Sequence, residues 1–187
     1  MRVTIFGATG LLGQALAQQW KDDQVTGLGP KDTDPRDEGQ VRRAVESTRP
    51  EWIVLAAAYT DVDGCESNQQ MAFDVNCQGA ANVARAAKAA GAKLLTVSTD
   101  YVFDGNGTAP YETDVPRAPR SVYGRSKADG EVKVSEILPQ ACIVRTAWLF
   151  GMGGKCFPDT ILKLAASRPA IDVVDDQRGS QTYSVDL

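Results

Sequence analysis

At 187 residues, 43% hydrophobic and 24% charged, the chain has apolar side chains enough for one core-bearing domain, which excludes disorder as its main state, and is short for two. Twenty basic against twenty-four acidic residues leave a net charge of −4 with no basic run, which argues against a nucleic-acid surface or an anionic-membrane anchor. Histidine is absent, so Ser-His-Asp hydrolysis, Cys-His proteolysis and His-ligated zinc are excluded.

The chain opens on a β-branched run, Arg2–Phe6, that ends at Gly7 and does not continue as a secretory signal. Further strands are predicted at Val25–Leu28, Trp52–Ala56, Lys93–Ser98, Ala141–Arg145 and Ile171–Val174. Between them, apolar residues recur at three- and four-residue spacing in Leu11–Trp20, Glu38–Ser47, Gln69–Ala90, Tyr123–Ile137 and Cys156–Ser167, which predicts helices. Strand and helix alternate from end to end, so the fold class is α/β: a doubly wound, Rossmann-type parallel sheet with crossover helices. The longest apolar stretch, Trp52 to Tyr59, falls far short of the roughly 20 residues of a spanning helix, and no membrane segment is expected. Cys65, Cys77, Cys142 and Cys156 form no C-x-x-C pair, a pattern that fits reduced thiols in a cytoplasmic protein. One long segment, Asp100 to Val122, lacks periodicity and reads as a functional loop. The chain stops at Leu187 with no helix to cover the open side of the sixth strand, so the expectation is that most of a C-terminal substrate lobe is missing. Residues 1–150 are then a cofactor-binding domain, and 151–187 a last helix and strand leading into that lobe.

Three constellations carry chemistry. Gly7-Ala8-Thr9-Gly10-Leu11-Leu12-Gly13 follows the first strand and opens the first helix. Glycines there let the backbone turn tightly and approach a pyrophosphate, whose charge then meets free N–H groups at the helix N-terminus. Gly7, Gly10, Leu11, Leu12 and Gly13 are therefore candidate cofactor contacts. At the tip of the second strand neither an acid for the ribose of NAD nor a base for the 2′-phosphate of NADP clearly stands out. Lys31 and Arg36 lean to NADP, while Asp32 and Asp34 serve equally well as caps, so the cofactor is left as NADPH or NADH.

Ser98-Thr99-Asp100 lies at the carboxyl end of the fourth strand, where open α/β sheets hold their ligands, and a hydroxyl there can fix a carbonyl oxygen. Tyr123 and Lys127, four apart on a helix, lie on one face. A neighbouring ammonium is expected to lower the phenol pKa and make the tyrosine a proton donor to a carbonyl becoming an alcohol.

Taken together these residues resemble the extended short-chain dehydrogenase/reductase superfamily and, closely, the dTDP-4-dehydrorhamnose reductase family. The resemblance runs through Ala56–Asp63 with Glu66, Val75-Asn76, the run Ser98-Thr99-Asp100-Tyr101-Val102-Phe103-Asp104-Gly105, Pro110-Tyr111-Glu112, Tyr123–Lys127 with Gly130-Glu131, Arg145–Trp148 and Asp176–Ser180. It implies a catalytic set of Thr99, Tyr123 and Lys127, with Asn76 supporting the lysine through a water or backbone link. It implies further cofactor contacts from Ala57, Ala58, Tyr59, Asn76 and Thr146, with Tyr123 and Lys127 also touching the cofactor, and sugar or nicotinamide contacts from Val62, Tyr101 and Trp148. No metal is implied. Leu55 stands where the family often has asparagine. The implied activity is NAD(P)H-dependent reduction of the C4 keto group of a dTDP-linked 4-keto-6-deoxy sugar, and the family admits a homodimer. A nucleotide-sugar epimerase or dehydratase, and a regulatory subunit like that of methionine adenosyltransferase, are the alternatives. Dehydration is disfavoured because Asp100 is followed by Tyr101, where those relatives carry an Asp-Glu pair. This chain is expected to bind NAD(P)H and to reduce a keto-sugar poorly or not at all.

Overall fold

The computed structural model describes residues 1–187. Five strands, β1 (Arg2–Phe6), β2 (Gln24–Leu28), β3 (Trp52–Leu55), β4 (Lys93–Thr99) and β5 (Cys142–Thr146), form one parallel sheet in the order β2-β1-β3-β4-β5. The helices are α1 (Leu11–Gln19), α2 (Glu38–Thr48), α3 (Val62–Ser67), α4 (Gln69–Phe73), α5 (Ala80–Ala90), α6 (Val122–Ile137) and α7 (Phe157–Ala165). The α/β class and the parallel sheet expected from the alternation are both present.

Alternate residues of each central strand serve opposite faces. Phe6, Ile53, Leu55 and Leu94 join Val41 and Val45 of α2, Val83 and Ala87 of α5 and Val134 of α6 in the main core. Val3, Ile5 and Val54 face the other way, against Leu16 and Trp20. Because both faces are apolar, the inner strands read as nearly continuous hydrophobic runs. The chain passes from β1 outward to β2 and then returns to the far flank of β1 as β3, so the winding reverses between β1 and β3. At such a reversal the loops leaving the two strands diverge and open a crevice at their carboxyl ends.

Three expectations are corrected. Ile171–Val174 forms no strand. Val173 and Val174 are exposed, since a β-branched run needs a ladder partner and none lies alongside. A two-residue pair stands in its place: β6 (Leu149–Phe150) beside β7 (Thr182–Tyr183), in a separate small sheet. The predicted helix Gln69–Ala90 is interrupted by a π-helical turn at Asp74–Gly79, which a three- and four-residue repeat does not reveal. A short helix, α3, precedes it where none was expected. Its N-cap, Asp61, accepts a hydrogen bond from the Gly64 amide. The last helix, α7, carries an apolar stripe yet buries no residue, and β5 beside the open end of the sheet is no more than half-buried.

Candidate active site

The glycine loop is pinned at the reversal point. The amides of Gly7 and Ala8 both donate to the Leu28 carbonyl, at 2.9 and 3.1 Å, and Gly7 takes a φ of +88° that only glycine adopts readily. A Cβ on Gly7 would lie 2.5 Å from the Ala57 nitrogen, and one on Gly13 would collide with the Gly7 carbonyl oxygen. The loop is thus sealed against the turn after β3 on one side and against its own helix on the other. Helix α1 starts immediately after it, and the amides of Leu11, Leu12 and Gly13 donate to no backbone carbonyl.

A cleft of about 650 Å³ opens above these amides. Gly7, Gly10, Leu11, Leu12 and Gly13 line it at one end, and Val62, Thr99, Tyr101, Tyr123, Lys127, Thr146 and Trp148 at the other, with Ala58 between. Ala57 and Tyr59 do not line it. Ala57 packs toward the main core, and Tyr59 joins a small cluster of Cys65, Ala72, Val122 and Tyr123. Asn76 is buried and lies outside the cleft. Its Oδ1 accepts from the Tyr59 amide at 2.8 Å, and its Nδ2 donates to the Tyr59 carbonyl and to Ser126 Oγ, both at 3.0 Å. This side chain clamps the turn after β3. None of these bonds goes directly to Lys127.

Helix α6 delivers Tyr123 and Lys127 from its first two turns. Ser121 caps it by accepting from the Gly124 amide, and Glu66 accepts from the Val122 amide at 2.8 Å, so the helix start is fixed from two sides. The Tyr123 ring meets the edge of Tyr101 at 5.7 Å between centroids. Lys127 Nζ donates to the Val97 carbonyl at 2.7 Å. Thr99 Oγ1 accepts from the Tyr101 amide and donates to Asp100, ordering the turn at the end of β4.

The electrostatics differ from the expectation in one respect. Burial raises the Tyr123 phenol to about 12, with the Thr99 hydroxyl opposing, and Lys127 does not bring it down. The reason is that Lys127 is itself buried: desolvation lowers it to about 8, against the pull of Glu131 one turn on, and its Nζ is directed to Val97. Between about pH 8 and the roughly 10.4 of a free lysine, the unfolded chain then binds a proton that the folded one has lost, so this group makes the fold more stable as pH rises through that window. Urea unfolding at pH 7 and pH 9.5 should show the wild type gaining stability relative to Lys127→Met, with no such gain if the amine titrates normally. The Tyr123 window lies above this range.

At the tip of β2, Asp32 accepts from the Gly29 amide at 2.8 Å and Asp34 holds the Arg36 guanidinium at 2.6 Å, so both acids are engaged locally. None of Lys31, Asp32, Asp34 and Arg36 lines the cleft. Trp148, with φ of +45° and 41% exposed, is no core residue and overhangs the cleft instead. A left-handed backbone at a bulky residue is strained, and such strain is held at sites where the side chain must point one way.

Sequence reasoning missed a buried ion network behind the site. Glu131 accepts from Arg145 at 2.7 and 2.9 Å and from Arg117 at 2.6 Å. Burial alone would raise its pKa, but the two arginines and the nearby Ser98 hydroxyl hold it below the usual carboxylate range. Ser98 Oγ and Thr146 Oγ1, both on residues of the cleft wall, are buried and make no hydrogen bond of ordinary geometry. Only the register Ser98↔Arg145 of β4 and β5 brings these parts together, and no local spacing encodes it.

Residues 1–187 match the protein family described as RmlD substrate binding domain. A dTDP-4-dehydrorhamnose reductase of Streptomyces griseus is 44% identical over all of this chain and 62% of its own length. A spore coat polysaccharide biosynthesis protein of Bacillus subtilis is 39% identical, over all of this chain and 66% of its own. Among solved structures, a dTDP-4-dehydrorhamnose reductase of Bacillus anthracis in complex with NADP superposes with a TM-score of 0.95 at 41% identity, covering 99% of this chain and 66% of that one. The chain thus spans slightly less than two thirds of the length of these relatives.

Proposed function

The chain belongs to the RmlD substrate binding domain family, and on that premise we propose that it binds NADPH or NADH and carries the proton-donating residues for reducing the C4 keto group of a dTDP-linked 4-keto-6-deoxy sugar. The observation that carries this reading is the convergence of Thr99, Tyr123 and Lys127 on one end of a cleft whose other end is the glycine loop. The cleft fits a dinucleotide on its own terms: side chains are excluded at Gly7 and Gly13, three helix amides lack acceptors, and the Thr146 hydroxyl is unpartnered. Gly7, Gly10, Leu11, Leu12 and Gly13 would hold the diphosphate, and Thr146 and Lys127 the nicotinamide half. The reduced nicotinamide, when bound, supplies the hydride.

The protein residues manage the oxygen. A phenol held near 12 is fully protonated at neutral pH, which is the state a reduction needs, because Tyr123 must give a proton to the oxygen as it becomes an alkoxide. The Thr99 hydroxyl, beside it at the end of β4, can turn from Asp100 to donate to the same oxygen and fix the carbonyl in place. Lys127 is anchored by Val97 and has donors left for a ribose hydroxyl. Val62, Tyr101 and Trp148 form an apolar, aromatic wall suited to a deoxy sugar ring. Elimination chemistry has no support at Tyr101, whose ring is packed on Tyr123.

Titration of the chain with NADH and NADPH, followed by nicotinamide fluorescence, should saturate. Adding dTDP-4-dehydrorhamnose under single-turnover conditions should then oxidise the bound cofactor slowly, in keeping with the poor turnover expected of this chain. Binding without oxidation would leave a nucleotide-binding role without catalysis, and absence of binding would overturn the reading.

A further inference from the structure

A second glycine-rich segment, Gly151-Met152-Gly153-Gly154-Lys155, crosses the start of α1. Gln14 Nε2 donates to the Gly153 carbonyl at 2.6 Å and to the Thr9 carbonyl at 2.8 Å, tying the segment to the glycine loop through a single side chain. Gly153 takes a φ of +89°, and a Cβ on Gly154 would lie 2.6 Å from Leu11 Cβ, so this backbone lies directly on the first turn of the helix. The segment ends at Lys155, which lines the cleft together with Gly7, Thr9, Gly10 and Leu11 and forms no ion pair with any carboxylate. Lys127 is the other ammonium in the cleft and is committed to Val97 at the far end. Asp100, the one carboxylate of the lining, stands beside Thr99 at that end.

We propose that Gly151–Lys155 is a strap over the diphosphate of the dinucleotide, with Lys155 supplying the cation that the glycine loop lacks. The assignment rests on reading the cleft as a dinucleotide site. Backbone amides and a helix dipole stabilise one side of a diphosphate and leave the outward oxygens uncompensated. A flexible ammonium on a strap meets those oxygens as a point charge. The target is the diphosphate and not a 2′-phosphate, because the strap touches Leu11 and Gln14 at the helix start, whereas Lys31, Asp32, Asp34 and Arg36 at the tip of β2, where a 2′-phosphate would sit, do not line the cleft that holds Lys155.

The test is fluorescence titration of Lys155→Met with NADH and NADPH, beside competition by ADP-ribose and by adenosine. The expected result is a loss of about tenfold in affinity for NADH, NADPH and ADP-ribose alike, with adenosine unchanged and a shallower salt dependence. Lys163→Met, an exposed lysine on α7 outside the cleft, should bind as wild type. Gly154→Ala, in which the strap cannot seat on Leu11, should reproduce the loss with the melting temperature unaltered. A loss confined to NADPH would move Lys155 to the 2′-phosphate and overturn the assignment, as would unchanged binding in Lys155→Met. Failure of the wild type to bind any dinucleotide would sink the reading of the cleft together with the strap, whereas wild-type binding with an indifferent Lys155 sinks the strap alone.

Discussion

Tyr123→Phe should lower single-turnover oxidation of bound NADPH by the keto-sugar by 10²- to 10⁴-fold, the span over which a positioned proton donor contributes. The ring is 9% exposed and packs on Tyr101 and Val122, contacts that phenylalanine keeps, so the fold and the cleft walls are retained. Only the hydroxyl goes, and with it a proton that is both firmly held at neutral pH and free to leave as the alkoxide forms. Thr99 remains but is a far weaker acid, able to orient the oxygen and unable to neutralise it. Cofactor affinity should stay within about twofold, because the glycine loop is untouched. A variant that keeps more than a fifth of the wild-type rate would show that the proton comes from elsewhere, from water or from Tyr101.

A larger effect on stability is expected from Glu131→Ala. The carboxylate is 3% exposed and satisfies two guanidinium groups that come from far apart in the chain. Removing it leaves both arginines facing each other across an apolar gap. Breaking a buried pair in this way costs about 3–5 kcal/mol. Arg145 and Arg117 are 20% and 32% exposed, regain some water, and place the expected loss near the lower end, about 3 kcal/mol. The damage should be regional as well. Arg145 Nη1 donates to the Thr113 carbonyl at 3.2 Å and its guanidinium lies over the Phe103 ring, which stacks in turn on Tyr111. With Glu131 gone, the segment between Asp104 and Ala118 should become a site of proteolytic cleavage while the sheet stays protected. Urea unfolding and limited proteolysis check both parts; a loss below about 1 kcal/mol with an unchanged digestion pattern would contradict the network's role.

How far the sequence foretold this site depends on whether the information was local. The strand, the three glycines and the following helix are contiguous, and their meaning is steric, so the loop at Gly7–Gly13 could be read directly. Tyr123 and Lys127 were legible as a pair because helical periodicity alone puts them on one face. Their protonation was not: the direction of each shift is set first by burial beneath β4, which a four-residue spacing does not show. Ile171–Val174 misled for the same reason in reverse, since its composition favours a strand but a strand exists only beside another. The Glu131 network required knowing that Arg145 stands opposite Ser98, a consequence of sheet register. Lys155 carried a faint signal, a Gly-Gly-Lys after a short strand, that became meaningful only when the segment was seen lying on Leu11.

The π-helical turn has a consequence of its own. One extra residue in a turn rotates everything beyond it by roughly 100° relative to a continuous α-helix. On the near side Ala72 belongs to the cluster around Cys65 and Tyr123; on the far side Ala80, Val83 and Ala87 belong to the core beneath the sheet. The turn therefore acts as a phase shifter, letting one length of helix keep step with two interiors of different orientation, and Asn76 sits at the point where the phase changes.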